Sequence, residues 1–86
     1  MGSIRIGGIR FVVYSDDHQP RHVHCFLEDA EIVVDLMEND SVALANRKDS
    51  IRPSNAKGST VRKALTSVAK NYDQLAELWE NIHGQA

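Results

Sequence analysis

The stretch Ile4-Arg5-Ile6-Gly7-Gly8-Ile9-Arg10-Phe11-Val12-Val13-Tyr14 decides the fold. Two short runs rich in β-branched and aromatic residues flank a Gly-Gly pair. Glycine reaches positive φ without steric cost, which a two-residue hairpin turn demands. On the second run Ile9, Phe11 and Val13 share one face, and Arg10, Val12 and Tyr14 the other, because strand side chains alternate. The stretch reads as an antiparallel hairpin with one apolar face that needs cover.

The alternation continues outward. Ser15 to Pro20 is polar, turn-prone and closed by proline, hence a loop. His22 to Leu27 resumes the strand pattern, with His22, His24 and Phe26 on one face and Val23, Cys25 and Leu27 on the other. Glu28-Asp29-Ala30 turns the chain into Glu31 to Met37, where Ile32, Val34 and Leu36 share a face. Glu38-Asn39-Asp40 is a second acidic turn, and Val42 to Ala45 a last short strand. This predicts an antiparallel meander of four to five strands over about residues 4–45. Residues 46–58 form a polar connection of about a dozen residues, long enough to carry function.

From Ser59 or Thr60 the period changes. Val61, Leu65, Val68, Tyr72, Leu75, Trp79 and Ile82 follow one another at helical spacing, one apolar stripe that predicts packing on a sheet face. Ser59 or Thr60 is expected to cap the start and Gly84 the end. A continuous helix over 60–83 would be about 36 Å long at 1.5 Å per residue. Asn71-Tyr72-Asp73 is a plausible break, so one kinked helix and two consecutive helices over about 59–83 both remain open. The fold class is α+β, with Trp79 as the anchor of helix on sheet.

A chain of 86 residues predicts one domain, 1–86, with one modest core. Hydrophobic residues at 42% and charged residues at 26% argue against disorder. One cysteine, Cys25, excludes an internal disulfide framework, and no run reaches the about 18 apolar residues of a membrane span. The first residues lack the apolar core of a secretory signal. A cytoplasmic protein is expected. The net charge of −2 hides an uneven distribution. Residues 28–40 hold six acids and no base, whereas residues 47–70 hold seven bases and one acid, Asp49. Arg47, Lys48, Arg52, Lys57, Arg62 and Lys63 are therefore candidates to hold RNA phosphates or an acidic partner. A solvated loop and helix face is the plainer reading of the same charges.

Three histidines fall within seven residues, His18-x-x-x-His22-x-His24. His22 and His24, two apart on a strand, point to the same side, and the Pro20 turn brings His18 toward them. Three converging imidazoles have two chemical uses. One is an open metal site for a divalent transition metal such as zinc, nickel or iron, with Asp16 or Asp17 as a further ligand or as an orienter of a ring N–H. The other is metal-free acid–base cleavage of RNA through its 2′-hydroxyl, with Arg21 stabilising the developing charge. Histidines that merely tile a sheet face, paired with Asp16, Asp17 or Tyr14, are the bland alternative. Nothing in the sequence requires a cofactor.

The pattern Gly-Ile-Arg-Phe-x-x-Tyr-Ser-Asp-Asp-His-x-Pro-x-His-x-His over residues 8–24, with Leu-Trp-Glu at 78–80, resembles a small bacterial family, domain-of-unknown-function family 4160. Members often carry a second proline where this chain has Arg21, which makes the loop here more cationic. Members are often suggested to be toxins of toxin–antitoxin pairs. The resemblance places the family's motif on Asp17, His18, Pro20, His22 and His24. It implies a small cytoplasmic α+β protein, acting on RNA and neutralised by a small antitoxin-like protein. A non-catalytic interaction module, a homo-oligomer or a metal-binding accessory domain are the alternatives that the residues leave open.

Overall fold

The computed structural model of the chain describes residues 1–84. Gly7 and Gly8 take φ of 56° and 82°, and the hairpin they permit joins β1 (Gly2–Ile6) to β2 (Ile9–Val13). β3 (His22–Leu27) and β4 (Ala30–Leu36) extend the antiparallel meander, with Glu28 and Asp29 both at positive φ in the turn between them. After a short 3₁₀ turn at Glu38–Asp40, β5 (Val42–Leu44) pairs with the C-terminal half of β4. The sheet runs β1-β2-β3-β4-β5.

One strand falls where the sequence predicts only a polar connection. β6 (Ile51–Arg52) pairs with the N-terminal half of β4, so β5 and β6 share one edge of that strand. Two residues between Ser50 and Pro53 are too few to show an alternation. Between β5 and β6 the chain leaves the sheet and returns. The Ala45 N–H donates to the Val33 carbonyl at 3.0 Å, and the Val33 N–H donates to the Ser50 carbonyl at 2.8 Å.

The C-terminal stripe forms two helices, α1 (Gly58–Lys70) and α2 (Tyr72–His83). Asn71 makes the break: it leaves helical geometry at ψ 28°, and its side-chain amide donates to the Ser67 carbonyl at 2.8 Å. α1 starts at Gly58, before the expected cap. The Thr60 hydroxyl is drawn instead to the Glu28 carboxylate at 2.8 Å, tying the helix to the β3–β4 turn. Gly84 closes α2, with its N–H on the Glu80 carbonyl.

Register fixes the two faces. Ile4, Phe11, Cys25 and Ile32 lie in one cross-strand row, and Ile6, Ile9, Leu27 and Ala30 in another. These rows meet Ala64, Val68, Tyr72, Leu75 and Trp79 from the helices in one core. Each large side chain buried there contributes about 1.5–3 kcal/mol. Cys25 belongs to this core, and burial pushes its thiol up to about 12. The opposite face carries Ser3 and Arg5, Arg10 and Val12, His22, His24 and Phe26, and Glu31, Val33 and Asp35. No described helix is long and apolar enough to cross a membrane.

Candidate metal centre

β3 places His22 and His24 on the open face, both buried, beside a carboxylate delivered by the β2–β3 loop. That loop turns tightly: the Asp17 N–H donates to the Tyr14 carbonyl at 3.1 Å, and the Tyr14 N–H donates back to Asp17 Oδ2 at 3.0 Å. The turn points Asp17 inward and leaves the next residue, His18, outward and exposed. The cluster is therefore Asp17, His22 and His24, one donor atom from each within 4.8 Å of the others. The expected convergence of His18 with the other imidazoles does not form: His18 stays exposed at the rim of the groove, outside the cluster. Asp17 takes that place.

Both rings are fixed in the same sense. His22 Nδ1 donates to the Pro20 carbonyl at 2.8 Å, and an acceptor that can only accept sets the tautomer. His24 Nδ1 donates to the Glu31 carboxylate at 2.9 Å. Glu31 is held in turn by Arg52 at 2.6 Å. Each ring thus turns its Nε2 toward Asp17, from 3.4 Å in both cases, with His24 Nε2 within hydrogen-bond reach of Asp17 Oδ1. His22 Nε2 is fully buried and has no hydrogen-bond partner. With both rings neutral, two lone pairs facing a carboxylate would be electrostatically incomplete, since a buried acceptor without a donor costs free energy. A proton on one ring answers part of this; a divalent cation answers all three donors. Ligands about 2.1 Å from a tetrahedral ion lie about 3.4 Å apart, the separation seen here.

Burial pushes the Asp17 carboxyl up, but the Tyr14 N–H and the charge of His22 and His24 outweigh it and hold the group below the usual carboxylate range. Glu31 is likewise held low against its own burial, by Arg52 and then His24. Asp35 goes the other way, raised by burial.

A groove of about 590 Å³ opens over this centre, lined by Asp16 to Pro20, His22, Asp35 and Ala45 to Arg47. It lies between the β2–β3 loop and the β5–β6 excursion. Of the basic candidates only Arg47 reaches it, and Arg47 pairs with Asp49 at 3.2 Å. Arg52 pairs with Glu31 and Lys63 with Glu28, each at 2.6 Å. The charge segregation read along the chain thus closes partly on itself. Among the described residues Lys48, Lys57 and Arg62 make no ion pair and lie exposed, Lys57 and Arg62 on or beside α1 and away from the groove. Arg21 also departs from its expected place. Its neighbour His22 faces the open side, so alternation turns Arg21 to the helix side, where it donates to the Tyr72 hydroxyl at 2.7 Å. The Tyr72 hydroxyl donates onward to the Met37 carbonyl.

The sequence reading missed Glu31 and Arg52 as supports of the centre, and it missed a run of rings. Tyr14 and His24 lie 4.9 Å apart, His24 and His22 5.2 Å, His22 and Trp79 5.3 Å, and Trp79 stacks on His83 at 4.0 Å. His83 Nε2 donates to the Tyr14 carbonyl, closing α2 onto the start of the loop. The pairings across the strands, His24 with Val33 and Phe26 with Glu31, were within reach of a register argument.

No curated protein and no solved structure matches the chain significantly. A family model does, over residues 8–80, from the Gly-Ile-Arg-Phe hairpin strand through the loop and histidines of the centre to Glu80. The chain belongs to the family described as domain of unknown function DUF4160.

Proposed function

We propose that the protein is a divalent-metal-dependent hydrolase acting on RNA, with Asp17, His22 and His24 as the metal ligands. The observation that carries the reading is His22 Nε2, buried without a partner and aimed at Asp17 beside a second imidazole lone pair. Two imidazoles and one carboxylate leave positions open for water and substrate. An ion held there would polarise a phosphoryl oxygen and bring the pKa of a water toward neutrality. The chain's own groups do the positioning. The Pro20 carbonyl and Glu31 keep both rings in the ligating tautomer, and Arg52 holds Glu31 in place. Arg47 offers a cation at the groove wall, close enough to the centre to share a phosphate. Such a hydrolase would serve as the toxin of a toxin–antitoxin pair, restrained by a small cognate protein, which is the role that the family resemblance favours.

Elemental analysis of purified protein tests the centre first. About one zinc, nickel, iron or cobalt per chain is expected, and less than about a tenth of that in His22→Ala and His24→Ala. Induced expression then tests the chemistry, with growth arrest and RNA fragmentation expected for the wild type and neither for the two variants. Protein without stoichiometric metal rejects the centre. Bound metal with intact RNA and normal growth rejects the hydrolase and leaves a metal-binding accessory domain.

A further inference from the structure

A second row of the open sheet face is unassigned by anything above. Arg5 on β1 pairs with Arg10 on β2, Arg10 with Phe26 on β3, Phe26 with Glu31 on β4, and Glu31 with Arg52 on β6. Five strands thus contribute three arginines, one aromatic ring and one acid to a single line across the sheet. At about 4.8 Å per strand the line is about 19 Å long. The three arginines lie exposed, and the Arg10 guanidinium sits 5.5 Å from the centre of the half-buried Phe26 ring. A shallow groove of about 590 Å³ runs along the line, with Arg5, Phe26, Glu31 and Arg52 in its walls. The nearby acids are largely engaged: Glu31 holds Arg52 and Glu28 holds Lys63, leaving Asp29 at the turn.

We infer that this Arg5–Arg10–Phe26–Arg52 row is the docking face for single-stranded RNA. A planar ring beside a guanidinium is a stacking platform that any base fits, and flanking arginines meet the phosphates. The one ring of the row takes one base in this way. An acidic peptide would use the arginines but would have no use for the ring. A duplex would bury its bases and could not stack on it. Ser3, exposed in the row next to Arg5, offers a hydroxyl to a ribose 2′-hydroxyl, which favours RNA over DNA. The inference deepens the hydrolase reading and rests on it for its purpose. Phe26 lies two residues along β3 from His24 and four from His22, about 7 and 13 Å. A chain docked on the row would run toward the groove lined by Asp17 and His22 within a few nucleotides.

The test is fluorescence anisotropy with a 5′-labelled ten-nucleotide RNA, on full-length protein whose metal content is measured in the same preparation. Phe26→Ala should weaken binding by about ten-fold. Arg5→Glu and Arg10→Glu, both at exposed positions, should weaken it at least as much. Arg10→Ala should lower the slope of log Kd against log salt by about 0.7. Lys70→Ala, which removes an exposed cation at the end of α1 outside both grooves, should bind RNA like the wild type. The DNA of the same sequence should bind several-fold more weakly. Circular dichroism checks that each variant is folded, and Phe26→Leu, which keeps the volume and loses the ring, should repeat the loss if Phe26→Ala unfolds. Wild-type affinity in the Phe26 variants, or DNA bound as tightly as RNA, overturns the assignment. Metal bound without RNA affinity overturns the docking face and leaves the metal centre standing. RNA affinity without metal does the reverse.

Discussion

At the scale of single residues, the centre is decided by tautomers. His22 and His24 would be unremarkable as two buried rings on a strand. What distinguishes them is that each has its Nδ1 proton committed, to the Pro20 carbonyl and to Glu31. With its outer nitrogen donating, each ring has its inner nitrogen left to meet Asp17, 3.4 Å away in both cases. Glu31 would therefore matter to an ion held there without touching it. Glu31→Gln keeps an acceptor for His24 but removes the charge that Arg52 and the imidazole share. It should lower metal affinity about 10–100-fold, with the fold retained. The only tryptophan, Trp79, lies 5.3 Å from the His22 ring, so quenching of its fluorescence by cobalt or nickel reads the titration directly. Unchanged affinity in Glu31→Gln would remove Glu31 from the site.

Elements are joined by the charges that the chain order keeps apart. Glu28, in the β3–β4 turn, accepts from Lys63 and Thr60 of α1. The Lys63 ammonium and then the Thr60 hydroxyl hold its carboxyl below the usual carboxylate range. A carboxyl whose folded-state pKa is lowered adds stability above its unfolded value, about 4.3, and loses it as pH falls through the folded one. Glu28→Gln should therefore melt below the wild type at pH 7, and the gap should close as the pH is taken down toward 3. Thermal melts across that range check it, and a gap independent of pH would show that the contact is not electrostatic. The same contact explains where the sequence was legible. Period-two alternation in Ile9–Tyr14, His22–Leu27 and Glu31–Met37, and the helical stripe ending at Trp79, are local patterns, and they placed five strands and the helical region. The choice of two helices over one rested on Asn71, whose side chain reaches the Ser67 carbonyl only once the turn has formed. β6 is invisible because two residues show no period. Asp17 instead of His18 follows from the Tyr14–Asp17 hydrogen bonds, local to one turn but carried by no periodicity; Arg52 beside Glu31 follows from register, a contact between segments that no single stretch displays.

For the whole molecule, the sheet does two jobs with its two faces. One is closed by α1 and α2 around Phe11, Ile32, Leu75 and Trp79. The other is left to loops and to charged and aromatic side chains, with the centre near one end of β3 and the arginine row near the other. A domain of this size has a modest margin of stability, so occupancy of the centre should be visible globally. Free metal at about 100 times its Kd adds about 2.7 kcal/mol. For a domain of this length that raises Tm by about 10–20 °C. A chelator should reverse the shift, and His24→Ala should not show it. A Tm indifferent to metal in the wild type would contradict a site formed only in the folded chain.

Residues 46–49 lie outside the sheet, and the first two of them, Asn46 and Arg47, line the groove. Val33 keeps both of its backbone bonds at the two ends of the excursion, one to Ala45 and one to Ser50, whatever lies between them. That wall is in effect an interchangeable cassette. Lengthening a surface loop costs only fractions of a kcal/mol per added residue, so relatives can widen, narrow or recharge the mouth of the groove while the strands beneath keep their register. Within the family, variation in the shape and charge of the groove mouth should accordingly concentrate in this excursion, at Asn46 and Arg47 first.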